Sequence, residues 1–131
     1  MKRVIPHIII ENCKEAIEYY QEIFGGEIKN VQLADGIEMF KGHEGKYIHS
    51  ELYINGGCII YFVDVFNQKL NQGNNIQFAL ELDNEVEINK LYDSLSKEGQ
   101  VKMELQDTFW NSKFAIVTDK HGITWELNFP K

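Results

Sequence analysis

Residues 105–128 read LQDTFWNSKFAIVTDKHGITWELN. Phe114 to Thr118 and Ile123 to Phe129 are rich in β-branched and aromatic residues, and both predict strands. Asp119-Lys120-His121-Gly122 between them has the composition of a tight turn. Asp107-Thr108-Phe109-Trp110 is a second turn-like segment, whose Asp and Thr can bond their own backbone. Upstream, Val101 to Leu105 predicts another strand and Gly99 a helix stop. Ile88, Leu91, Tyr92 and Leu95 recur at helical spacing, and Asn84 with Glu87 has the offset of a capping box. Ile76 to Leu82 predicts the strand that precedes this helix, so the order is β-α-β-β-β.

The first half of the chain repeats that order. Val4 to Ile10 predicts a strand; Cys13, Ala16, Ile17, Tyr20, Ile23 and Phe24 then form the apolar face of a helix. Asn12 and Glu15 have capping offset, and Gly25-Gly26 supplies the stop. Glu27 to Leu33, Glu38 to Phe40, Ile48 to Ile54 and Cys58 to Val63 predict strands, the last two joined by the hairpin turn Asn55-Gly56-Gly57. Ala16, Tyr20 and Ile23 match Ile88, Tyr92 and Leu95 at one constant offset, and Gly57 and Tyr61 match Gly122 and Glu126. An internal repeat of this kind predicts an α+β fold in which two βαβββ repeats form a curved mixed sheet, with a pocket on its concave face. The repeats span 1–66 and 74–131, joined by the polar stretch Asp64 to Asn74. Each half is too small to hide a sheet face alone, which predicts a single domain over 1–131.

Composition narrows the partners. With 131 residues, 44% apolar and 25% charged, the chain can bury a core and is not of the disordered class. Its net charge is −7, with no basic run longer than Lys2-Arg3, which argues against nucleic acid and against an anionic membrane surface. The opening MKRVIPHIIIEN is too short and too polar for a secretory signal or a membrane span. Cys13 and Cys58 stand far apart in no C-x-x-C pattern and read as reduced thiols of a cytoplasmic protein. Cys58, in an apolar strand, is expected to pack as a small hydrophobe.

Residues 105–128 resemble a known family, as do AIEYYQEIFGGEI (Ala16 to Ile28), IHSELYINGG (Ile48 to Gly57) and GNNIQFALELDN (Gly73 to Asn84). It is the vicinal-oxygen-chelate superfamily of glyoxalase, bleomycin-resistance and dioxygenase proteins. The resemblance is strongest to its PhnB-like branch, also labelled 3-demethylubiquinone-9 3-methyltransferase. The resemblance implies a homodimer, often with two chains completing each pocket, but no single reaction, because function lives in the site. A methyltransferase ranks last. Nucleotide-type cofactors favour a glycine-rich strand-to-helix turn, and neither Ile10 to Lys14 nor Leu82 to Glu85 contains glycine.

Metal-dependent members place ligands on the first and last strands of each unit. Carried over by position, the candidates are His7, Gln77 and Glu126, with Tyr61 in the remaining place. An alternative alignment matches His7 with Ala79 instead. Such a nitrogen and oxygen set suits a divalent Zn, Ni, Fe or Mn ion. The candidate ligand pocket is Tyr61, His49, Phe109, Trp110 and Trp125. His49 and Glu51 alternate onto one strand face. His49 there either bonds a ligand, serves as acid or base, or is satisfied at a strand edge. Phe109 and Trp110 either roof the pocket or bury in a dimer interface. Two functions follow. One is a homodimer that binds a small molecule without chemistry. The other is a divalent-metal-dependent enzyme of lyase, dioxygenase or transferase type.

Overall fold

The computed structural model describes residues 1–131 and divides into two compact units, Met1–Asn71 and Gln72–Lys131. The first unit contains strand β1 (His7–Ile10), helix α1 (Cys13–Phe24) and strands β2 (Glu27–Leu33), β3 (Tyr47–Asn55) and β4 (Cys58–Asp64). The second contains β5 (Phe78–Glu81), α2 (Glu85–Ser96), β6 (Gln100–Asp107), β7 (Ser112–Thr118) and β8 (Thr124–Pro130). Each unit is thus one βαβββ repeat, and each forms its own four-stranded sheet, in the orders β1-β4-β3-β2 and β5-β8-β7-β6. The outer pairs β1–β4 and β5–β8 are parallel and the others antiparallel, which makes both sheets mixed. No helix is long and apolar enough to cross a membrane.

In the first unit, α1 turns Cys13, Ala16, Ile17 and Tyr20 inward against Ile8, Ile10, Ser50, Leu52 and Phe62. Tyr20 stacks on Phe62 with ring centroids 5.3 Å apart. In the second, Ile88, Leu91 and Leu95 of α2 cover Ala115, Val117, Trp125 and Leu127. Burying each large apolar side chain contributes roughly 1.5–3 kcal/mol. Because strand side chains alternate, the opposite face of each sheet carries the intervening residues.

The two helix starts differ despite similar sequences. Asn84 behaves as expected: its side chain accepts the Glu87 amide at 2.8 Å, and the Glu87 carboxylate accepts the Asp83 amide at 2.9 Å. Asn12 does not cap α1. It sits in the left-handed region at φ 53°, which removes its side chain from capping position. The Cys13 amide instead donates to the buried Asp64 carboxylate at 3.0 Å, and the other Asp64 oxygen accepts the Tyr47 amide at 2.7 Å.

Three further expectations need correction. Glu38–Phe40 is one turn of 3-10 helix and not a strand. Gly36, Gly42 and Gly45 all have positive φ and fold this segment into successive turns, closed by the Ala34 amide on the Lys46 carbonyl at 2.9 Å. The first strand begins at His7, not Val4, since Pro6 has no N–H to give a ladder. Cys58 is exposed, because it opens β4 directly after the hairpin turn; Cys13 is the buried thiol.

Candidate functional site

The face of the first sheet turned away from α1 gathers His7 from β1, Tyr61 from β4, and His49, Glu51 and Tyr53 from β3. The register creates this group: His7 pairs with Tyr61 across the parallel ladder, and Tyr61 pairs with Glu51 across the antiparallel one. Ring centroids lie 4.8 Å apart for His49 and Tyr61, 5.8 Å for His7 and Tyr61, and 6.1 Å for His7 and His49, each edge to face.

Glu51 is the anchor. It is only 7% exposed, so its carboxylate needs partners. One oxygen meets His49 Nε2 at 2.6 Å. The other accepts from Asn30 Nδ2 and from the Tyr53 hydroxyl, both at 2.9 Å. The His49 bond, then the Asn30 bond, hold this carboxyl below the usual glutamate value against the opposing effect of burial. The Tyr53 phenol is raised, first by its bond to Glu51.

Asn30 reaches Glu51 through a backbone irregularity. Lys29 pairs with Glu51 and Gln32 with His49, so β2 carries one extra residue there. Asn30 lies in that bulge at φ 54°, a conformation asparagine tolerates better than most residues. Local strain of this kind re-aims a side chain, here toward a buried carboxylate.

The outward atoms of the cluster are unused. His49 Nδ1 and the Tyr61 hydroxyl have no hydrogen-bond partner in the protein, and both reach solvent. His7 is exposed at the strand start, and its pKa is lowered by partial burial of the ring and then by His49. The site therefore has a saturated inner side and an open outer side. A cleft lies elsewhere, at the start of α1, with a volume of about 560 Å³ between Glu11, Lys14, Lys46, Asp64 and Asn67. Three of its polar side chains already have partners: Lys14 pairs with Glu18 at 3.0 Å, Lys46 donates to the Val65 carbonyl at 2.9 Å, and Asp64 holds two amides.

The remaining sequence candidates fall in the second unit. Glu126 is half-buried on β8 and pairs with Ala79, not Gln77. Gln77 is exposed and precedes β5. Of the two alignments, the register is therefore the one that matches His7 with Ala79. Trp125 leaves the pocket set. Its strand neighbour Glu126 faces the other way, and Trp125 itself is 1% exposed, with Nε1 donating to the Asp119 carboxylate at 2.8 Å. Phe109 and Trp110 are 97% and 48% exposed and meet each other edge to face at 4.9 Å. Asn30 and Tyr53 were not among the candidates. The alternation His49-Ser50-Glu51-Leu52-Tyr53 already places Tyr53 beside the other two.

A resident divalent ion needs several such donors converging on one point. No group of three or more His, Cys, Asp or Glu side chains is gathered so as to hold one. Within the first unit, His7, His49 and Glu51 do not form such a set.

Residues 4–127 match the model of the Glyoxalase/Bleomycin resistance protein/Dioxygenase superfamily. The chain belongs to this superfamily. Among curated sequences, it is 29% identical to Protein YjdN of Escherichia coli over 92% of this chain and 89% of that one. Among solved structures, protein PA1353 from Pseudomonas aeruginosa superposes with TM-score 0.88 at 26% identity, covering 99% of this chain and 98% of that one. A PhnB protein from Bacillus cereus, described as a putative 3-demethylubiquinone-9 3-methyltransferase, gives TM-score 0.84 at 24% identity over 98% and 99% of the two chains. The two structures share this chain's fold over nearly its whole length, and the second of them supports the fold alone.

Proposed function

We propose that this protein is a PhnB-like small-molecule-binding protein whose ligand rests on the His7–His49–Tyr61 face of the first sheet. One observation carries the reading. Glu51 is satisfied by three donors on its inner side, while His49 Nδ1 and the Tyr61 hydroxyl are left without protein partners. Polar groups held rigidly from behind and open in front are what a specific binding surface requires. A homodimer is part of this reading, supported by the exposed aromatic pair Phe109 and Trp110, a residue type enriched at interfaces. A reducing, cytoplasmic setting is supported by two unpaired cysteines.

The test is ligand-observed NMR with a panel of small aromatic and aliphatic fragments, repeated on His49→Ala and Tyr61→Ala. The reading expects fragments whose binding is lost in both variants. A panel in which every hit binds the variants as well as the parent protein would overturn it.

A further inference from the structure

Resting on that reading of the face, we propose that its ligand is a small apolar compound bearing one weakly acidic hydroxyl, of phenol or enol type, which shares its proton with His49 Nδ1. Hydrogen-bond inventory fixes the orientation. An ionised carboxylate only accepts, so the 2.6 Å contact makes His49 Nε2 the donor. The other nitrogen, Nδ1, is thereby the one presented to solvent. In the neutral ring it carries a lone pair, ready to accept from a ligand O–H. If the proton moves across, the ring becomes an imidazolium that donates back to the ligand oxyanion, and Glu51 balances the new charge from behind. No atom is lost or gained in either form.

The surroundings specify the rest of the molecule. Ile9 shares the His7 face of β1, is 44% exposed and pairs with Val63 of β4. With the ring of Tyr61, these give an apolar floor next to His49. Surplus positive charge is lacking at this end. Lys29 lies over the ring of Tyr53 at 4.7 Å and pairs with Glu27 at 3.7 Å, and Arg3 acts on the Tyr53 phenol. Both cations belong to the Tyr53 end of the cluster. A carboxylate or phosphate ligand at His49 would find only an imidazole that Glu51 already balances, whereas a hydroxyl brings its own proton.

The experiment titrates the intact protein with para-nitrophenol, para-nitroanisole and para-nitrobenzoate, following the imidazole ¹⁵N resonances. The phenol should bind and shift His49 Nδ1. The ether lacks the proton and should bind at least about tenfold more weakly, the worth of one charge-assisted hydrogen bond. His49→Phe should abolish the preference for phenol over ether. Should that variant fail to fold, the nitrogen shift in the parent protein still decides. Equal binding of phenol and ether, tighter binding of the benzoate, or no binding of the phenol overturns the proposal. If fragments from the panel depend on His49 while para-nitrophenol does not bind, the hydroxyl proposal falls and the binding reading stands. If nothing depends on this face, both fall.

Discussion

The Asp64 carboxylate, at the end of β4, accepts the backbone N–H of Cys13 at the start of α1 at 3.0 Å. Its second oxygen takes the Tyr47 amide at 2.7 Å, so one buried side chain ties together the starts of α1 and β3. Asp64→Ala should destabilise the protein by roughly 2–4 kcal/mol, because it strands two amides that water reaches poorly. Asp64→Asn should cost less, since its carbonyl still accepts. Urea unfolding measures both. An alanine variant within about 0.5 kcal/mol of the parent would remove Asp64 from this role.

Glu51 gives a pH dependence of defined sign. Its folded pKa is lowered from the ordinary 4.5, first by His49 and then by Asn30. The unfolded chain therefore binds more protons between about 4.5 and the folded value. Stability is full above that window and is lost as pH falls through it. Glu85 beside Lys113 and Asp107 beside Lys131 are lowered too, so they share the slope. Glu51→Gln should flatten it in part. An unchanged slope in urea midpoints against pH would count against the network.

His7 should titrate below the ordinary 6.5, chiefly through partial burial and next through His49. His49→Ala should raise its midpoint only part of the way back, because burial remains. The His7 ring proton, followed by NMR across the titration, reports this. Full return to the ordinary value would make His49 the dominant cause.

Trp125→Phe separates the core from the site. It removes the Nε1 bond to Asp119, whose other oxygen holds the His121 and Ile123 amides at 2.8 and 3.1 Å. Stability should fall by roughly 1–3 kcal/mol. Fragment binding at the His49 face should stay unchanged, and loss of that binding would return Trp125 to the pocket.

On the proposed dimer, the parent protein should sediment as a dimer and Phe109→Ser combined with Trp110→Ser as a monomer, read by sedimentation velocity. Stability of the single chain should hold, since Phe109 is 97% exposed. A dimer that survives the double change places the interface elsewhere.

The doubled architecture was readable because helix faces such as Ala16–Tyr20 and Ile88–Tyr92 repeat their spacing and because the turns Asn55–Gly57 and Asp119–Gly122 punctuate equivalent strands. Local chemistry was less so. Asn12 and Asn84 have the same capping offset, yet only Asn84 caps, because Asn12 is turned into the left-handed region at φ 53° and the Asp64 carboxylate, distant in sequence, serves the Cys13 amide at this helix start. Short parallel strands show little alternation, so Gln77 and Ala79 could not be distinguished without the ladder opposite Glu126. The site was half visible. His49 and Glu51 share a face by simple alternation, but Asn30 reaches them only through a bulge, and a bulge leaves no mark in residue spacing.

The two thiols are chemically unequal. Burial pushes the Cys13 thiol up to about 11, whereas Cys58 stands in the open where β4 begins. A maleimide dye at neutral pH should therefore modify Cys58 alone, with no need to engineer a cysteine. The attached fluorophore would ride on the same strand as Tyr61, an optical reporter for occupancy of the neighbouring surface.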